Sequence, residues 1–65
     1  RMNVGDLVKI LSRDGDYWCY GIFLGMADNP PTYRSIQHSF LRGGIIEYYD
    51  EPFWKFEVIN EIFGK

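Results

Sequence analysis

Residues 17–27, "YWCYGIFLGMA", are apolar on both faces when laid out as a strand. Alternate side chains put Cys19, Gly21 and Phe23 on one side and Trp18, Tyr20, Ile22 and Leu24 on the other. A half-solvated strand would carry polar residues on one of those faces. This one needs cover on both, which the curl of a small barrel or a partner molecule supplies. The glycines at 21 and 25 suit a sharply bent strand, because a missing Cβ lets a neighbouring strand cross closely.

Working outward, "RDGDY" (13–17) is a loop by composition, and "VGDLVKILS" (4–12) before it opens on a Gly-Asp turn. Val8 and Ile10 then share one face with Lys9 opposite, the period-2 pattern of a strand. On the other side, "DNPPT" (28–32) is a stiff loop, since consecutive prolines remove two amide donors and fix φ. "YRSIQHSFL" (33–41) is β-compatible, "RGG" (42–44) suits a hairpin turn and "IIEYYDE" (45–51) reads as the returning strand. "PFWK" (52–55) reads as a single 3₁₀ turn, and "FEVINEI" (56–62) alternates Phe56, Val58 and Asn60 against Glu57, Ile59 and Glu61. The whole is an all-β chain: five short strands in a small, partly open barrel, with one 3₁₀ turn before the last strand. No segment of about 12 residues keeps helical spacing, so a helical bundle is excluded.

At 65 residues the chain makes one domain, 1–65, and buries only about 60 % of the surface it exposes unfolded. Its twelve aromatic residues are an efficient way to build a core from few positions. Net charge is −2 and the seven cations are scattered, which argues against binding a phosphate backbone. Cys19 is the single cysteine, so no internal disulfide forms, and between Trp18 and Tyr20 it reads as a small buried hydrophobe. His38, the one histidine, reads as a strand surface residue. No nucleophile, general base, metal cluster or cofactor site can be assembled from these residues, so the chain is expected not to be an enzyme. With no run of about 18 apolar residues and no signal-like opening, a cytoplasmic protein without membrane contact is expected.

The order of parts resembles the SH3-like barrel shared by SH3, Tudor and KOW-type domains, and the likeness is carried by "VGDLVKI" (4–10), "YGIFLG" (20–25) and "FEVINE" (56–61). The opening and closing phrases look like those of small SH3-like proteins of tailed bacteriophages, marine cyanophages especially, in which a Gly-Asp-x-Val start and a Leu-Glu-Val-Ile type ending recur. Phe56 stands here in place of that leucine. The resemblance implies a small viral protein acting in the bacterial host cytoplasm. Signalling SH3 domains carry Ala-Leu-Tyr-Asp-Tyr on their first strand where this chain has "DLVKILS", so recognition of PxxP ligands is not carried over. Asp14 and Asp16 lie in the loop equivalent to the one whose carboxylates meet a ligand arginine in SH3 domains. A plasmid-borne dihydrofolate reductase of the same fold lines its pore with Val-Gln-Ile-Tyr, but "IIEYY" (45–49) sets Glu47 where glutamine is expected, and its charge would repel both substrates.

"EYYDEPFWKF" (47–56) packs five rings among three carboxylates. Alternation forbids burying all of them, and exposed Tyr and Trp dominate protein interfaces. The ligand groove of an SH3-like barrel would draw Trp18, Tyr33, Tyr49 and Trp54 into one face, rimmed by Asp14, Asp16, Asp50 and Glu51. Such a face suits a protein or peptide carrying Arg or Lys, through cation–π contacts and carboxylate pairing. The alternative is a homo-oligomer, a structural or virion-associated subunit whose face of Trp18, Tyr20, Ile22 and Leu24 meets its own copy. Nucleic-acid contact by aromatic stacking is a third reading, opposed by the acidic charge.

Overall fold

Alternating apolar residues, broken by Gly, Asp and Pro at the turns, fold into the expected strands. The computed structural model describes residues 1–27 and 36–59. Within them lie β1 (Leu7–Ser12), β2 (Trp18–Met26), β3 (Ile36–Arg42), β4 (Ile45–Glu51) and β5 (Trp54–Val58), all in one antiparallel sheet. The sheet order is β4-β3-β2-β1-β5. The chain meanders through β4, after which β5 pairs with β1 in the register Val8↔Val58 and Ile10↔Phe56. The edge strands β4 and β5 therefore share no ladder although they follow one another in sequence. They meet through side chains instead: Tyr49 lies edge-on to Trp54 at 4.9 Å, and Phe40 of β3 stacks on Phe56 at 5.3 Å. The sheet is curled around these rings.

Inside sit Val8, Ile10, Cys19, Phe23, Phe40 and Tyr49, with Met2, Trp54, Phe56 and Val58 packed against them. Val8 and Ile10 point in and Lys9 does not, as alternation predicts. On β2 the predicted division also holds, with Cys19, Gly21 and Phe23 covered while Trp18, Tyr20 and Leu24 are exposed. Burial of each large side chain is worth about 1.5–3 kcal/mol, so six such residues are a thin reserve for a domain of this size. The bend expected near Gly25 is a bulge between Phe23 and Gly25, where β2 slips one residue against β3. Gly43 and Gly44, at φ 55° and 81°, make the two-residue turn between Arg42 and Ile45. Both positions need left-handed backbone, which only glycine adopts freely.

As expected, a turn precedes the first strand, which begins at Leu7: Asp6 closes that turn with Asn3 through bonds of 3.0 and 2.8 Å. Two expectations are corrected. The stretch 52–55 is not a 3₁₀ turn: Pro52 and Phe53, after a cis Glu51–Pro52 bond, form the turn, and Trp54 and Lys55 already pair with Ser12 and Leu11. His38 is buried, not a surface residue, since it shares the inward phase of Phe40 two positions on and sits between Phe23 at 5.8 Å and Phe56 at 4.7 Å. The loop at 28–32, the start of the 33–41 stretch and residues 60–62 lie outside the described residues.

Candidate functional site

The β1–β2 connection is closed by a short network of its own side chains. The Ser12 hydroxyl donates to Asp14 Oδ1 at 3.0 Å, the Asp16 amide donates to the same oxygen at 3.3 Å, and the Tyr17 amide donates to Ser12 Oγ at 3.0 Å. Two donors aimed at one carboxylate favour its charged form, so Asp14 is held below the usual carboxylate range, first by the Asp16 amide and then by Ser12. It is a fixed negative charge at the tip of an exposed hairpin.

That tip is pinned to the β4–β5 turn. The Arg13 amide donates to the Phe53 carbonyl at 3.0 Å, which brings Tyr17, Phe53 and Trp54 into one region. Trp54 stands edge-on to Tyr17 at 6.0 Å and 79°, and edge-on to Tyr49 at 4.9 Å and 83°. Such T-shaped contacts suit the ring quadrupoles and hold the indole upright. Trp54 is half-buried, with Tyr17 and Phe53 exposed beside it at 49 % and 58 %. Asp14, Asp16 and Glu51 are exposed and Asp50 is half-buried, so carboxylates border these rings in sequence and at the pinned tip.

Of the expected ring residues, Tyr49 lies against Trp54 but beneath the surface, and Trp18 is elsewhere. Tyr49 is only 9 % exposed: it pairs with inward-facing His38, so it faces the core and Tyr48 faces out at 58 %. Trp18 is exposed, but on the opposite side of the sheet, under the Lys9 ammonium at 4.9 Å and edge-on to Tyr20 at 5.5 Å. Tyr33 lies outside the described residues. Tyr17 takes the place expected for Trp18. Its phase on the strand is that of Cys19, and this phase leads to Trp54.

The alternative face is assembled as its alternation predicts. Leu7 pairs with Ile22, Ile22 with Leu41 and Leu41 with Ile46, so one apolar row crosses four strands on the outer side. Trp18, Tyr20, Leu24 and Tyr48 extend it. Among the described residues twelve large hydrophobics are exposed against six buried hydrophobics, and those of this row are contiguous.

At the partly exposed rim of the inner face, Arg42, Glu47 and Tyr49 form a closed polar triangle. Arg42 Nη1 donates to Glu47 Oε1 at 2.8 Å and to the Tyr49 hydroxyl at 3.2 Å, and that hydroxyl donates to Glu47 Oε1 at 2.6 Å. Arg42 Nε also donates to the Tyr20 carbonyl at 3.1 Å, tying β3 to β2, and Cys19 Sγ lies 3.8 Å from the Tyr49 hydroxyl. The Tyr49 hydroxyl and then Arg42 hold Glu47 below its ordinary value. Burial, followed by the bond to Glu47, pushes the Tyr49 phenol well above its own. A depressed carboxylate contributes stability above about pH 4.3 that is lost as pH falls, and a raised phenol contributes stability below about pH 10 that is lost as pH rises. The urea midpoint should therefore be level between these limits and fall on both sides. Tyr49→Phe should flatten the alkaline fall, and an unchanged alkaline limb in that variant would contradict the assignment.

No protein-family model, no curated protein and no solved structure matches this chain. Among the described residues no three His, Cys, Asp or Glu side chains could hold a metal ion, and no helix is long and apolar enough to cross a membrane.

Proposed function

We propose that this chain is an SH3-like barrel that works by binding a protein or peptide rather than by catalysis. A sheet in which β1 lies between β2 and β5, with a short turn leading into β5, supports that fold. The contact surface is the strip of Tyr17, Phe53 and Trp54, rimmed by Asp14, Asp16, Asp50 and Glu51, and the partner carries Arg or Lys. The observation that carries this reading is the half-open indole of Trp54, held upright between Tyr17 and Tyr49 beside the charged hairpin tip. A guanidinium laid on such a ring gains from the π-face and from the neighbouring carboxylates together. The resemblance of the opening and closing phrases to phage proteins supports a viral protein in a bacterial cytoplasm.

A library of short peptides containing Arg, titrated while the Trp54 indole N–H signal is followed by NMR, tests the reading. Binders should shift that signal and lose at least about tenfold in affinity when Arg is replaced by citrulline, a cost of about 1.4 kcal/mol. Tyr17→Ala, at an exposed ring, should weaken them similarly without loss of fold. Shifts confined to Trp18 and Tyr20 would sink the proposed strip.

A second reading, self-association, is favoured by the excess of exposed over buried apolar residues. Seven side chains on the outer face, each 36–58 % exposed, together show on the order of 700 Å², near the ~800 Å² each partner gives to a standard interface.

A further inference from the structure

Strand β4 is an edge of the sheet, and among the described residues it pairs with β3 alone. Natural edges are blunted by charged side chains, lysine especially, and by proline, bulges or short length; β4 carries the carboxylates Glu47, Asp50 and Glu51, of which Glu47 is paired with Arg42. The seven residues of β4 contain neither proline nor lysine, its ladder with β3 has no register shift, and Ile45, Ile46 and Tyr48 are 62 %, 54 % and 58 % exposed.

The turn fixes which backbone groups are on offer. In a two-residue hairpin the closing pair, here Arg42↔Ile45, exchanges both hydrogen bonds, and the pattern then alternates. Ile45, Glu47, Tyr49 and Glu51 therefore turn their amides and carbonyls toward β3. Ile46, Tyr48 and Asp50 turn theirs away.

We infer that this edge pairs with itself: two copies of the chain join β4 to β4, antiparallel, with Tyr48 opposite Tyr48 of the second copy. Only this centre matches all three outward residues at once, Tyr48 with Tyr48 and Ile46 with Asp50 in both directions. Centring on a neighbouring residue leaves an outward residue unmatched, and centring on Asp50 sets two carboxylates face to face. Around Tyr48, Ile45 meets Glu51 and Glu47 meets Tyr49, so no carboxylate faces another. Glu47 is also neutralised by Arg42 at 2.8 Å. The contact is isologous, as a two-fold dimer requires, and puts a pair of aromatic rings at its centre. It rests on the second reading, that the chain meets its own copy, and moves the contact from the flat outer face to the edge.

Sedimentation of the full chain across micromolar concentrations should show a dimer. Tyr48→Pro removes an amide that faces away from β3, so the monomer's own ladder is untouched while the edge is blocked. It should be monomeric with an unchanged far-ultraviolet circular dichroism spectrum. Tyr48→Lys should also be monomeric and serves if the proline variant does not fold. The register is read by mild oxidation. Tyr48→Cys should crosslink, whereas Ile46→Cys should not, because the two 46 positions lie about 13 Å apart along the strands, beyond the ~7 Å reach of a disulfide. A monomeric native chain would overturn both self-association and this pairing. A dimer that survives Tyr48→Lys but is lost in Trp18→Ser would keep self-association and overturn the edge. Equal crosslinking at 46 and 48 would overturn the register.

Discussion

Phe40→Ala should leave the chain largely unfolded at room temperature. Phe40 has no exposed surface and touches three other rings, Phe23 at 5.5 Å, Tyr49 at 5.8 Å and Phe56 at 5.3 Å. It is the hub through which the β2, β4 and β5 sides of the curl meet. Truncating a buried phenylalanine costs about 3–5 kcal/mol, from lost transfer energy and from the cavity left behind. Native domains hold only about 5–15 kcal/mol in total, and one this small lies toward the low end. The loss is therefore comparable to the whole. Circular dichroism with urea titration measures it, with Phe40→Leu as the milder comparison that keeps most of the volume. A midpoint within about 1 kcal/mol of the native chain for Phe40→Ala would mean that the curl is not built on this ring.

How legible the fold was depended on whether each strand's two phases differ. In β1 they do, with Val8 and Ile10 against Lys9, and in β2 the glycine and cysteine phase differs from the phase of bulky rings; both strands face as alternation predicts. In β4 the phases are chemically close, and composition points the wrong way. Ile45, Glu47, Tyr49 and Glu51 alternate with Ile46, Tyr48 and Asp50, so each phase holds one isoleucine and one tyrosine, and the inward phase is the one with two acids. What decides between them is tertiary. Arg42 on the neighbouring strand neutralises Glu47 at 2.8 Å at the rim of the inner face, and the phenol of Tyr49 completes that triangle. Nothing in β4 itself announces that partner. The same holds at 52–55, where four residues look like a helical turn until the ladder with β1 claims Trp54 and Lys55. Tyr17 could have been found from sequence. Extending the phase of Cys19 by one step reaches it, and the proposed strip then sets Tyr17, rather than Trp18, beside Trp54.

Gly21→Val should destabilise the chain about as severely as Phe40→Ala, for the reverse reason. A Cβ at position 21 would lie 3.0 Å from Phe40 Cβ, 3.0 Å from Arg42 Cγ and 3.4 Å from Ile10 Cδ1. The Arg42 stem can swing aside, but Phe40 Cβ moves only with the backbone of β3. Even Gly21→Ala therefore forces two strands apart by a few tenths of an ångström and costs about 1–3 kcal/mol of overpacking. Valine adds two methyl groups aimed at the same atoms, so the loss should exceed that range. Displacing Arg42 would also break its bonds to Glu47 and Tyr49, leaving the Glu47 carboxylate without its cation. These two contributions separate in a double variant. Arg42→Ala vacates part of the space, so Gly21→Ala should cost less in the Arg42→Ala background than in the native one, a coupling readable by urea titration of the four proteins. Equal costs in both backgrounds would mean that the pressure falls wholly on Phe40, and a Gly21→Val chain with a native midpoint would mean that β2 and β3 do not approach this closely.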